Sequence, residues 1–427
     1  MGGDIDGEAS NDRSGVAVSL SSDGTRVAIG AYGNNQVFGH VRVYEYDASK
    51  TSSPAKWGQV GGDIDGEAFF DHSGFTVSMS SDGTRVAVGA QVNDGNGDKA
   101  GHVRVYEYDA TKTSAPAKWT QLGGDIDGEA SGDESSWALS ISLDGTRVAI
   151  GAPTNDGNGG DSGHVRIYEY DATKTSAPAK WAQVGGDIDG EASNDRSGVA
   201  VSLSSDGTRV AIGAVGNDGI NGRDSGHVRV YEYDATKTSA PVKWAQVGGD
   251  IDGEAVDDMI GDWKKCYVWL SSGGTRVAIG AVGNDGNGVN SGHVRVYEYD
   301  ATKTSAPVNW AQVGSDIDGE AAGDQFGNAV SMTSDGKRVA IGGRSNDGTG
   351  TDAGHVRVYD LQAPPCTTSQ YLKDGSCVAC PPSTGVSSSH PSATSTGGSA
   401  TSCTCPENYY AYAGMDAPST YNWACAE

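Results

Sequence analysis

Apolar and polar residues alternate along most of this chain, in short runs that stop at glycine or at Asp-Gly. VAVSLS (199–204), TRVAIGA (208–214) and HVRVYEY (227–233) each carry apolar side chains at about every second position, the period of a strand rather than a helix. Asp206-Gly207 joins the first two runs as a tight hairpin. KWAQV (243–247) is a short fourth run. No window has apolar residues at helical spacing. The pattern predicts four antiparallel strands in about sixty residues.

The unit recurs. Residues 2–31 and 185–214 are the same thirty letters, GGDIDGEASNDRSGVAVSLSSDGTRVAIGA. Looser copies begin at Gly61, Gly123, Gly248 and Gly314, and the opening aspartates (Asp4, Asp63, Asp125, Asp187, Asp250, Asp316) lie 59, 62, 62, 63 and 66 residues apart. Tandem units of this kind read as blades. The expected fold class is all-β: a six-bladed β-propeller of four-stranded antiparallel blades over residues 1–362. The alternative is a β-solenoid, whose rungs are shorter, roughly twenty to thirty residues, and lack hairpins. Bulk on both faces of the third run (Val228, Val230, Tyr231, Tyr233) suits a blade covered on both sides. Arg209 and Arg229 stand in every copy and are expected to reach an edge or pair with acids of the next blade.

Chain order puts the DIDGEASNDRSG and NDGINGRDS loops on one, acidic face. The SDG hairpins and the ATKTSAP linkers, with Lys237 and Lys243, fall on the other. Copy six ends at GHVRVYDLQ (354–362) without a W-x-Q-V run. Its blade is therefore expected to have three strands, or to borrow residues 363–366 as a weak fourth. Copy five departs from the rest at VDDMIGDWKKCYVWL (256–270), which holds the lone Cys266. That stretch reads as a true insertion or as an error in the gene sequence.

Phe326-Gly327 before the first run of copy six, and Gly151-Ala152-Pro153 closing the second run of copy three, resemble the FG-GAP repeats of integrin α-subunit propellers. The resemblance spans roughly residues 1–362 and implies a surface binding or adhesion role. Two features depart from it. The FG pair is Ser-Gly in copies one, two and four, and the family's calcium hairpin is reduced to SSDGTR, so its hairpin calcium sites do not carry over. Residues 363–427 resemble the cysteine-rich repeats of ephrin-receptor-like and EGF-like ectodomains, in YLKDGSCVACP and SCTCPENYY. Cys366, Cys377, Cys380, Cys403, Cys405 and Cys425 are expected to form disulfides, with Cys266 left free. Zinc is the weaker alternative: Cys377 and Cys380 have suitable spacing, but Cys403 and Cys405 do not, and no histidine is well placed. The stretch between the two pieces is rich in Ser and Thr and suits O-glycosylation or disorder.

Composition narrows the role. The chain has 427 residues, with 64 glycines against 13 prolines, as in a turn-rich β protein. A net charge of −26 argues against nucleic acid and favours cations, basic partners or simple solubility in a salty medium. No apolar run is long enough to span a membrane. No export signal precedes the first repeat, yet the clustered cysteines are of a secreted type. The expected setting is extracellular or at the cell surface, with an export segment upstream of Met1.

The DIDGE acids are candidate metal ligands. Asp63, Asp65 and Glu67, then Asp125, Asp127 and Glu129, then Asp187, Asp189 and Glu191 alternate along the chain and share a side if extended. Their density suits Ca²⁺, which takes six to eight oxygens. The rival reading is a solvated turn capped by aspartate. The NDGNG loops read as turn chemistry. Six histidines, His40, His102, His164, His227, His293 and His355, open the third runs. They are expected to make structural hydrogen bonds, since neighbouring copies lie too far apart to share an ion. There is no H-E-x-x-H, no G-x-S-x-G and no phosphate-binding loop. Near-identical blades supply every group six times, so no catalytic residue and no enzyme are expected. The reading is an extracellular binding or adhesion protein that presents its acidic face to a protein or glycan, with Ca²⁺ as the one candidate cofactor. The alternatives are a propeller hydrolase or lyase acting on extracellular polysaccharide, and a structural coat protein.

Overall fold

The computed structural model describes residues 3–34, 38–50, 56–113, 118–176, 180–237, 243–258 and 267–361, and beyond these only the backbone of short strands between 370 and 426. Each copy forms one antiparallel sheet. In the fourth blade, strands Ser197–Leu203, Arg209–Ala214, His227–Tyr233 and Trp244–Gln246 hydrogen-bond in chain order. The turn residues do what their chemistry requires. Gly207 takes φ 65° in the hairpin. Asp206 Oδ1 accepts from the Ser204 hydroxyl at 2.7 Å and from the Thr208 N–H at 2.9 Å, so the loop closes on its own side chains.

The outer strand has two pieces. Trp244–Gln246 pairs with the end of the third strand, and Ile251–Asp252 pairs with its beginning, through His227↔Asp252 and Val228↔Ile251. DIDGE was expected as a loop entering the next blade. Its Ile-Asp instead completes the outer strand of the blade it leaves. Val247 N–H donates to the Val230 carbonyl at 2.8 Å; the chain then bulges at Gly248, φ 78°, and resumes pairing.

The protein is an all-β, six-bladed β-propeller, and its last blade has three strands, Phe326–Met332, Arg338–Gly343 and His355–Asp360. First strands of neighbouring blades touch. Ile141 N–H donates to Ser78 Oγ at 3.1 Å, Leu203 to Ser140 at 3.0 Å and Leu270 to Ser202 at 2.9 Å. These strands therefore lie innermost, where the blades converge.

Each blade lays a leading face on the trailing face of the one before. Val201, Leu203, Val210, Ile212 and Trp244 pack on Ala149, Val165, Ile167 and Ile188. Each such side chain contributes about 1.5–3 kcal/mol by leaving water. At Gly151 the two backbones approach so closely that a Cβ would strike the Gly198 carbonyl.

Three polar ladders tie the blades together. Indole N–H groups of Trp119, Trp181, Trp244 and Trp310 donate to carbonyls of the preceding blade, at 2.6–2.8 Å. Arg26, Arg85, Arg147, Arg209 and Arg276 donate to hairpin carbonyls of the following blade. Hairpin backbones link in series from Ser22 to Ser81, Leu143, Ser205, Ser272 and Ser334. Among the described residues, none of these ladders joins the sixth blade back to the first. The uncovered faces show it: Val18 and Leu20 are 62% and 60% exposed, where their equivalents Val201 and Leu203 are 9% and 8%. On the sixth blade Val356 and Val358 are 71% and 67% exposed.

Beyond the propeller, Gln370–Lys373 pairs with Ser376–Ala379, Thr394–Ser395 with Cys403–Thr404, and Tyr410–Ala411 with Cys425–Ala426. Cys266, Cys366, Cys380 and Cys405 lie outside the described residues, as do the side chains of Cys377, Cys403 and Cys425. No described helix is long and apolar enough to cross a membrane.

Candidate active site

The acidic face holds two kinds of polar group, those that repeat and those that do not. The repeating ones serve the architecture. The three acids of one DIDGE diverge. Asp187 accepts from Gln183 of its own outer strand at 2.6 Å, Asp189 lies opposite His164 in the sheet, and Glu191 reaches Arg229 of the next blade. Asp63 accepts from Arg42 at 2.9 Å, Asp65 lies opposite His40, and Glu67 crosses to Arg104. Asp125 accepts from Arg104 at 3.1 Å, Asp127 lies opposite His102, and Glu129 meets Arg166 at 3.2 Å. In blades one, two and four one arginine thus ties down acids from two copies, and the three acids of one DIDGE do not share one shell.

The groups that do converge mix copies. Glu67, His102 and Asp125 bring one ligand atom each within 4.8 Å of one another, as do Glu191, His227 and Asp250. The arginine already bonds both carboxylates in these triples: Arg229 holds Glu191 and, at 2.8 Å, Asp250. Its charge competes with a cation for these carboxylates, whereas in the third and fifth blades Arg166 and Arg295 bond the glutamate of the corresponding triple and Asp187 and Asp316 accept from glutamines. The histidine below is buried. Desolvation drives His227 and His293 down to about 4, so both are neutral.

A second repeated network explains the NDG loops. Asp195, buried, accepts from the Ala192 N–H at 2.9 Å and from Asn217 Nδ2 at 3.2 Å. Asp133 and Asn155 repeat the pair at 3.1 Å, and Asn155 Oδ1 accepts from the Gly157 N–H at 2.8 Å. These loops are turn chemistry, as expected, with each asparagine also pinned to the buried aspartate.

The residue after that buried aspartate is where the copies diverge: Arg13, His72, Glu134, Arg196 and Gln325. All five have positive φ, from 49° to 58°, so the turn is common to the blades and the side chain it presents is what differs. They stand at the start of the innermost strand, at the mouth of the ring on the loop face. The residue after the second strand varies too, as Tyr32, Gln91, Pro153, Val215, Val282 and Arg344. In the first three blades these positions meet. Arg13 donates to the Tyr32 hydroxyl and stacks on its ring at 5.0 Å. Tyr32 lies 5.1 Å from the His72 ring and 5.6 Å from Phe75, and Phe75 lies 5.7 Å from Trp137. The three aromatic residues make a half-buried row across blades one, two and three.

His72 is the chemically interesting member of this row. Its Nδ1 is buried and has no hydrogen-bond partner, and the same holds for Gln91 Oε1 in the same blade. Burial, and after it the Arg13 charge, pushes the His72 imidazole below its usual value, against the opposing pull of Asp71. The half-buried imidazole can accept a proton only on a ring nitrogen that water reaches, not on the sealed Nδ1. Over the fourth blade a shallow, open cavity of about 610 Å³ continues the face, lined by Glu191, Asp195, Arg196, Asn217, Asp218 and Arg223 among others.

None of Tyr32, His72, Phe75 or Trp137 was singled out from sequence. The repeats that dominate the chain drew attention to what is shared. Aligning the six copies for what differs would have found them.

No protein-family model matches the chain, and no curated protein does. Solved structures do resemble it. A candidate 6-phosphogluconolactonase from Bacteroides uniformis superposes with a TM-score of 0.52 at 11% identity, over 86% of this chain and 83% of that one. The periplasmic gluconolactonase PpgL of Pseudomonas aeruginosa gives 0.49 at 14% identity, over 81% and 80%. At these identities the first likeness shows a shared propeller fold, and the second carries no argument. The expectation that this chain is no enzyme is corrected on this ground. It rested on blades so alike that no unique constellation could exist. The chain shares its fold with a candidate lactonase, and its divergent residues gather at one mouth.

Proposed function

We propose that the chain is a propeller hydrolase for a carbohydrate substrate, with its site at the loop-face mouth of the first three blades. The observation that carries this is the aromatic row Tyr32, Phe75 and Trp137 with the half-buried His72 imidazole against Tyr32. A sugar ring packs its C–H face on aromatic side chains while polar groups at the rim fix its orientation. His72 takes a proton from water, and the water oxygen attacks the carbonyl carbon of a sugar ester or lactone. Arg13, already placed by Tyr32, stabilises the developing oxyanion. The ester C–O bond then breaks, the proton held by His72 passes to the departing oxygen to give a hydroxyl, and the carboxylic acid left behind releases its proton to solvent. An ester suits the site better than a glycosidic bond: hydrolysis of the latter typically uses a pair of carboxylates, and Glu134 is the one acid among the divergent residues of blades one to three.

The test is turnover of sugar lactones and of acylated extracellular polysaccharides by the intact chain, with His72→Ala and Trp137→Ala beside it. His72→Ala is expected to lower kcat by about 10²–10⁴, and Trp137→Ala to raise KM. If the chain binds glycans without turnover and His72→Ala binds as well as the parent, the mouth is a binding surface and the hydrolase reading falls. An extracellular setting belongs to the same proposal, and so does a Ca²⁺ ion shared by DIDGE acids of adjoining copies, which has to compete with the arginines that bond them. The second is checked by comparing melting in millimolar Ca²⁺ and in chelator, since an ion bound to the folded state alone raises the melting temperature.

A further inference from the structure

Five blade-to-blade interfaces inside this chain repeat one design, and the two faces of that design are both left open at its ends. The leading face of the first blade shows Val18 and Leu20 to solvent, and the trailing face of the sixth shows Val356 and Val358. In the third blade the equivalents of this second pair, Val165 and Ile167, are fully buried beneath Val201 and Leu203 of the fourth. The polar ladders end in the same two places. Among the described residues Arg338 pairs with Asp360 of its own blade, and it is 65% exposed, whereas Arg276 reaches the Gly336 carbonyl of the following blade at 3.0 Å. The Gly24 carbonyl occupies the corresponding position at the other end.

We propose that a second copy of this chain docks there, with the trailing face of one sixth blade on the leading face of another first blade. The interface is one the chain already makes five times, and the surface complementary to each open face is the other. Residues 363–427 contain neither a TRVAIGA nor an HVRVYEY run, the runs from which each such face is built. The contact is heterologous, because each copy contributes a different patch, so it extends until both ends are used. It is also weaker than the internal interfaces, since the sixth blade lacks the outer strand whose carbonyl would receive the Trp57 indole.

The experiment is sedimentation velocity on the intact chain over a range of concentrations, with and without reductant. The parent is expected to exceed the monomer mass at high concentration and to do so equally in reductant. Val18→Asp/Leu20→Asp removes one face and Val356→Asp/Val358→Asp the other. Each variant alone is expected to stay monomeric, with an unchanged far-UV spectrum. Mixed, they retain one complementary pair, and the mass is expected to rise about twofold and stop there. A parent that is monomeric throughout overturns the proposal. So does association that reductant abolishes, which points to the tail cysteines, or variants that associate as the parent does. Variants that melt lower than the parent at a concentration where the parent is itself monomeric overturn it too, because the faces are then covered within one chain.

Discussion

Residues 2–31 and 185–214 are the same thirty amino acids in two places. In the fourth blade the inner strand runs Ser197–Leu203 and is buried throughout; in the first it spans only Ala17–Leu20 and its side chains are half-buried or exposed. The hairpins match nonetheless. Asp23 and Asp206 each accept from the Ser two before and the Thr two after, at 2.7–2.9 Å in both copies. Local turn chemistry is therefore carried by the segment, while burial and strand length are conferred by the neighbour. Arg13 and Arg196 make the same point about function. They are one residue of one repeat, but Arg13 meets Tyr32 and His72 of adjoining segments, whereas Arg196 lies 3.8 Å from Asp161 and has Val215 in the place of Tyr32.

The sharpest way to break this comparison is to put one substitution in both copies. Leu203→Asp buries a charge in the interface and is expected to cost more than about 4 kcal/mol, whereas Leu20→Asp is expected to change stability by under about 0.5 kcal/mol. Chemical denaturation checks it, and equal effects would mean that the first blade is covered after all.

Acid stability comes next. His227 has a folded pKa of about 4, below the 6.5 of an unperturbed imidazole. The unfolded chain therefore binds the proton first as pH falls, so the stability present above pH 6.5 is lost down to about 4. The loss is on the order of 3 kcal/mol for this one group. His227→Gln is expected to flatten the acid limb of stability against pH. His40→Gln, at the same place in the first blade, is expected to flatten it less, because His40 is less deeply desolvated.

A smaller effect separates the two arginines. Arg13 disfavours the His72 imidazolium, so Arg13→Ala lets the His72 pKa rise toward its usual value. The acid limb of kcat/KM is expected to move to higher pH in that variant, and to stay in place in Arg196→Ala. A shift in both would disconnect Arg13 from His72. The smallest difference of all is expected between Asp23→Ala and Asp206→Ala, each loosening one hairpin by the same amount in melting measurements, because nothing outside the turn decides it.

How much of this was legible in the sequence follows from the same division. The alternation of VAVSLS, TRVAIGA and HVRVYEY, the Asp-Gly hairpins, the repeat near sixty residues and the missing fourth strand of copy six all report local pairing within about one repeat, and all appear in the fold. The site was not legible, because the repeated DIDGE acids that stood out are largely taken up by Arg42, Arg104, Arg166 and Arg229 across blade boundaries, and alternation along the chain does not reveal a partner in the next copy. The row from Tyr32 to Phe75 to Trp137 spans three repeats, and only the stacking of blades brings it together. The chain by itself determined what each sixty-residue unit folds into, since hairpin geometry and strand period are short-range. The tertiary structure alone decided which of two identical segments is buried and which lies open, because burial is a property of the surface opposite.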